Sequence, residues 1–276
     1  MLNILRLLIP YIWLGSISLS SIFLLQNRAI AQVGASPIII ESQAVRGRSE
    51  SVININNSSD EPIRVRIFAA PFTYKREGQF QTLSSSDWDL SSYLQFSPRE
   101  LTISPKSSRK IRLLALLDPN LPDGEYRAVV FAESLVKSNS TSAKNVGMIT
   151  RVGTTVYIQK GNQTPLLKVS NSSFDEQQNQ LRLLVQNQGS ASVRTAVSWE
   201  LKQNGKVIRE GKAQPATIIA FNQRNLLIES LSKKSSLLSP GEYELSGKLV
   251  WKQDEKYQSL SFQVPLNIGR YVGEAK

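Results

Sequence analysis

Three carboxylates, Asp118, Asp123 and Glu125, fall in one loop of this 276-residue chain and are the first candidates for chemistry. Grouped carboxylates suit an acid pair or a calcium site. These lack the regular oxygen-ligand spacing of an EF-hand loop, and turn residues leading into a strand account for them. Asp87 and Asp89 flank Trp88, a grouping that suits either a carbohydrate contact or a tryptophan packed beneath a long loop. The chain has no histidine and no cysteine. That removes disulfides, thiolate chemistry, Ser–His and Cys–His pairs, and metal sites containing histidine. An enzyme would have to work with carboxylates, lysines or tyrosines alone, and no G-x-S-x-G motif occurs. The expectation is a non-catalytic protein with no metal, cofactor or nucleotide.

Any such residues must be held by strands. In the stretch from Phe96 to Glu133, Leu101 and Ile103 alternate with polar residues, Ser104-Pro105-Lys106 makes a turn, and Ile111 and Leu113 alternate with Lys110 and Arg112. A period of two marks half-buried strands. Tyr126–Phe131 follows the polar break at Asp118–Gly124, and four prolines keep helix out of the region. The same pattern predicts strands at Pro37–Ile40, Ser51–Asn56, Ile63–Ile67 and Met148–Ile158. Thr73–Ser92 reads as a long connection with a small hairpin around Glu77-Gly78, and Ser134–Asn145 as a polar loop. Beyond a linker at Gly161–Pro165, strands are expected at Leu166–Val169, Leu181–Gln186, Val193–Leu201, Ala216–Phe221, Asn225–Ile228, Tyr243–Trp251 and Tyr257–Leu266. Asn204-Gly205 is a strong hairpin turn. The halves repeat: Gly124-Glu125-Tyr126 recurs as Gly241-Glu242-Tyr243, 117 residues later. A tyrosine at such a corner bonds back to the backbone in sandwich folds. Short alternating strands with one apolar face bury those faces by pairing sheets. The expected fold is all-β, two tandem immunoglobulin-like sandwiches of seven strands each, spanning 32–160 and 161–276.

The residues Leu101, Ile103, Pro105, Ile111-Arg112-Leu113, Leu121-Pro122 and Tyr126 resemble the first domain of the PapD-like periplasmic pilus chaperones. The resemblance covers roughly Ile38 to Ile158, and the second half is less similar. It implies that the last strand of the first domain lies at a sheet edge and completes an incomplete pilus subunit by β-strand addition. Val146, Met148, Thr150 and Val152 then form the candidate partner-binding row, the first three falling where the family has its apolar triplet. An ordinary inward-facing strand is the competing reading. The family also anchors the subunit's terminal carboxylate with an arginine on the first strand and a lysine on the last. Gln43 and Thr155 occupy those positions here. Arg46 or Arg48, together with Arg151, lie nearby and would replace them after a register shift.

The formal net charge is +11. Residues 1–31 hold Arg6 and Arg28 and no acid, which leaves 31 basic against 22 acidic residues, a net +9. No like-charge run or nucleic-acid motif accompanies it, so no nucleic-acid partner is expected. Arg6, the apolar segment Leu7–Leu25 and Ala29-Ile30-Ala31 read as a secretory signal peptide, residues 1–31. The expectation is a periplasmic or secreted protein without stable membrane insertion after cleavage; an uncleaved anchor is the alternative. The leading function is a chaperone-like binder of pilus-type or surface protein subunits, with basic contacts from the cleft between domains. The alternatives are a structural or adhesive envelope module on acidic polymer, and carbohydrate binding through Trp88 and the tyrosines.

Overall fold

Alternation of apolar and polar residues fixes which face each strand buries. Ile53 and Ile55, Val65 and Ile67, and Ile111 and Leu113 are buried, while the residues between them are exposed or half-buried. A computed structural model describes residues 33–135, 149–230, 238–253 and 255–269. Residues 1–31, read above as a signal peptide, and Val146 and Met148 lie outside the described residues.

The first sandwich contains β1 (Val33–Ser36), β2 (Ile39–Gln43), β3 (Arg48–Asn57), β4 (Ile63–Ala70), β5 (Phe72–Tyr74), β6 (Phe80–Thr82), β7 (Leu94–Ser97), β8 (Glu100–Ile103), β9 (Ser108–Leu116), β10 (Gly124–Ser134) and β11 (Arg151–Lys160). One sheet has the order β1-β3-β9-β7 and the other β2-β11-β10-β4-β8, with β5 and β6 as a separate hairpin. The second sandwich contains β12 (Leu167–Asp175), β13 (Gln180–Asn187), β14 (Val193–Gln203), β15 (Lys206–Ile218), β16 (Asn222–Ser230), β17 (Gly241–Gln253) and β18 (Lys256–Ile268). Its sheets run β12-β13-β16 and β15-β14-β17-β18. A single 3-10 turn, Ser91–Tyr93, is the helical element among the described residues.

Two expectations need correction. The first sandwich has nine described strands in its two sheets, not seven. The extra strands arise because the first apolar run breaks at Pro37: β1 pairs with β3 in one sheet, whereas β2 pairs in parallel with β11 in the other. Short β7 adds the rest. Ala216–Phe221 is not a strand to its end. β15 stops at Ile218, and Phe221 sits in a turn at φ 57°, a left-handed conformation uncommon for a bulky side chain.

Each sandwich has its own core. Ile53, Val65, Ile103, Ile111, Ala128 and Ile158 lie in the first, and Leu181, Leu201, Ile218, Leu245 and Leu266 in the second. The internal repeat reaches into the polar parts. Tyr126 donates its hydroxyl to the Pro122 carbonyl at 2.8 Å, and Tyr243 donates to the Ser239 carbonyl at 2.6 Å. Asn57 and Asn187, both buried at the ends of β3 and β13, donate their side-chain amides to backbone carbonyls of the following turns.

Candidate partner-binding edge

Along β11 the main chain alternates its hydrogen-bonding groups between the two sides. Thr150 accepts the Ser134 N–H at 2.9 Å, and Thr155 donates its N–H to the Ile38 carbonyl at 3.0 Å. In an antiparallel pair this alternation places the polar groups of Thr150, Val152 and Thr154 toward β10. Those of Arg151, Gly153 and Thr155 face the opposite side. β2 covers that side only from Thr155 onward, where Thr155 pairs with Ile39. No described strand is paired with Arg151 and Gly153 there, although β1 passes close to β11.

The candidate row therefore divides. Val152 is half-buried, opposite Ala132, and packs against the first core. Thr150 also donates its N–H to Ser134 Oγ at 2.9 Å. Arg151 and Gly153 supply the outward main-chain groups. Gly153 had no signal in the sequence; its requirement comes from packing, because a Cβ there would lie 2.8 Å from Val129 Cγ2 and 3.1 Å from Phe131 Cε1.

On the outer face of the same sheet, the Glu133 carboxylate is buried and shared between two arginines. Arg66 Nη2 donates to Oε1 at 2.7 Å, and Arg151 Nε donates to Oε2 at 2.7 Å. The Arg151 guanidinium also stands 5.2 Å from the Phe68 ring centre and 5.3 Å from that of Phe131. The hydrogen bond from Arg151, with that from Arg66, holds the Glu133 carboxyl below its ordinary value. A carboxyl with a lowered folded pKa stabilises the fold fully above the unfolded value, and that contribution drains as pH falls through the folded one. The chain is expected to lose stability below about pH 4.5 through this group. Glu133→Gln should flatten that acid limb, as read by thermal melts across pH; an unchanged limb would assign it elsewhere.

Other candidates disperse. Arg46 sits at φ 52° in the turn between β2 and β3, where Ala44 N–H meets the Gln159 carbonyl at 2.8 Å. Arg151 begins the same strand whose far end Gln159 marks, roughly 26 Å away at about 3.3 Å per residue. Arg46 and Arg151 therefore cannot share one carboxylate, and Arg48, at the same turn as Arg46, is paired with Glu50 at 2.5 Å. Gln43 donates to the Gly161 carbonyl at 2.7 Å, and Thr155 Oγ1 to the Ile38 carbonyl at 3.4 Å. The three loop carboxylates also part company. Asp118 caps the Asn120 N–H at 2.8 Å, and Asp123 is exposed. Glu125 is buried against the second sandwich, accepting the Ser192 N–H at 2.7 Å and bonding its hydroxyl. Burial pushes the Glu125 carboxyl up, partly offset by Ser192. Trp88 packs edge-on against Tyr126 at 5.5 Å, beside the first core.

The hairpin around Gly78 forms as expected, and it also bridges the sandwiches. Phe72 is buried among Val129, Phe131, Tyr157 and Ile219 of the second sandwich. At the tip, Glu77 pairs with Arg182 at 2.8 Å and accepts the Asn225 amide at 2.7 Å. The Arg76 carbonyl accepts the Asn225 backbone N–H at 2.7 Å. Arg224 lies 4.7 Å over the Tyr74 ring. Beneath the hairpin, the Tyr157 hydroxyl faces those of Thr155 and Tyr74 without a well-formed hydrogen bond, and burial pushes it well above its ordinary value.

This architecture is similar to that of a solved fimbrial chaperone. The class 5 fimbriae chaperone CfaA matches with a TM-score of 0.51 at 15% identity, over 84% of this chain and 98% of that one. The YadV chaperone matches at 0.49 and 13% identity, over 85% and 100% of the two chains. The E. coli chaperone DraB matches at 0.47 and 13%, over 84% and 96%. At such identities the fold is what is shared. No family model and no curated protein matches the sequence.

Proposed function

We propose that this protein is a periplasmic or secreted, non-catalytic chaperone that binds pilus-type or surface subunits by β-strand addition along Val146–Val152, extended by the outward main chain of Gly153. The observation that carries the reading is the one-sided pairing of Arg151 and Gly153 in a chain with the chaperone fold. Unpaired donors and acceptors on an edge are a template for another strand, and a client that supplies one removes the liability. Val146 and Met148 are the apolar residues of the proposed row. The fold of CfaA supports the reading at the level of architecture, and the signal-like N-terminus supports the location.

The test is co-expression with a pilus-type subunit lacking its final strand. The complex is expected to co-purify and to survive modest salt, because main-chain pairing is little screened. Hydrogen exchange should slow at the Arg151 and Gly153 amides in the complex. Binding that leaves both amides exchanging as in the free chain would reject strand addition. Binding that falls steeply as salt rises would favour an envelope module on acidic polymer.

A further inference from the structure

We infer that Arg66 and Arg151, fixed by Glu133, select an acidic side chain on the incoming protein strand at the position facing Arg151. This rests on strand addition to β11. A residue placed beside Arg151 in an added strand projects its side chain on the same sheet face, with Cβ atoms about 5 Å apart. That face carries the two guanidiniums, whose side chains are 50% and 51% exposed, whereas that of Glu133 is 8% exposed.

Charge and geometry agree. Both Glu133 oxygens are occupied, one by each arginine. The neighbouring Arg64 is paired with Glu100 at 2.6 Å, so at this end of the face, among the described residues, three arginines meet two carboxylates. The intervening chain from Leu135 to Ile149 contains Lys137 and Lys144 and no acid. One positive charge is left for a carboxylate from outside the chain. Phe68 and Phe131 hold the Arg151 plane, and Phe68 lies 5.3 Å beneath Arg66. A guanidinium with its rotamer already set loses less freedom on binding a planar carboxylate.

A mere staple would look similar at rest, joining β11 to β4 across β10, but it would not discriminate between partners. The probe is a set of strand peptides with alternating apolar residues, each carrying Asp, Ser or Lys at one alternate position. Binding to the full chain is read by fluorescence anisotropy and by protection of the Arg151 and Gly153 amides. One position should favour Asp over Ser by about fivefold, as for a half-exposed ion pair, and disfavour Lys. The preference should vanish in the Arg66→Gln, Arg151→Gln double variant, with Ser-peptide affinity and amide protection retained. Arg151→Lys should restore part of it. Equal affinity for all three peptides, or a preference that survives the double variant, overturns the inference while leaving strand addition standing. Loss of Ser-peptide binding in the double variant makes the arginines a staple and also overturns it. If acidic peptides are preferred without amide protection, the arginines bind polyanion, and both readings fall. Failure of every peptide to bind or to protect those amides ends both as well.

Discussion

Phe72→Ala is expected to unhook the hairpin and uncouple the two sandwiches. Phe72 is 1% exposed, stacks on Phe80 at 5.4 Å and meets Tyr157 edge-on at 5.7 Å. Removing a buried phenylalanine costs about 3–5 kcal/mol. Detachment limits the loss, since a two-stranded hairpin has little stability of its own. Once β5 and β6 lift away, the Glu77, Arg76 and Tyr74 contacts to the second sandwich go with them. The Asn225 amide should exchange much faster, and calorimetry should resolve two transitions for the variant and one for the parent. A single transition with unchanged Asn225 exchange would show that the Glu125–Ser192 contact and the linker suffice to couple them.

Asn57→Asp should be the most damaging single-atom change in the first sandwich. The Asn57 Nδ2 donates to the carbonyls of Glu61 at 2.7 Å, Ile103 at 3.1 Å and Ser104 at 3.2 Å. Its Oδ1 accepts from the Ser59 N–H at 2.9 Å and the Ser59 hydroxyl at 2.7 Å. Aspartate would set an anionic oxygen against three carbonyl oxygens in a site only 2% exposed. Leaving one such group unsatisfied costs about 1–3 kcal/mol, and a buried charge more. A loss of at least about 3 kcal/mol in urea unfolding is expected, with Asn57→Ala milder. The matching Asn187→Asp faces the Ala191 and Ile218 carbonyls at 2.8 and 3.2 Å and should act on the second sandwich. A fall of under about 1 kcal/mol in both aspartate variants would mean that the turns rearrange freely.

The alternating strands and the tyrosine corners were legible because their signals are local. Ile53, Ile55, Ile111 and Leu113 are two apart in sequence and share a face in space. The Asn-rich turns could be seen as turns, but not the long-range carbonyls that Asn57 reaches, 46 residues away at Ile103. The switch of the first strand between sheets was hidden for the same reason: Pro37 marks a break, and only the registers with β3 and β11 say where each piece goes. The hairpin was legible as a hairpin. Its docking depends on Asn225 and Arg182, more than a hundred residues downstream. At the edge, Arg151 was singled out as a carboxylate anchor together with Arg46 or Arg48. Its pairing with Glu133 depends on a cross-strand register, and its stacking on Phe68 brings in a third strand that periodicity does not report.

Parallel pairing of β2 with β11 has a mechanical consequence. The upstream end of β2 and the downstream end of β11 point in opposite directions. Tension applied to the chain ahead of Ile39 and beyond Lys160 therefore loads the rungs from Thr155 to Gln159 in shear, all together, instead of opening them one by one. Their rupture in an optical trap should be a single abrupt event. It would also bare the rest of the β11 border, so that a pulled molecule would offer a longer template than a resting one. A gradual, stepwise extension would rule that out.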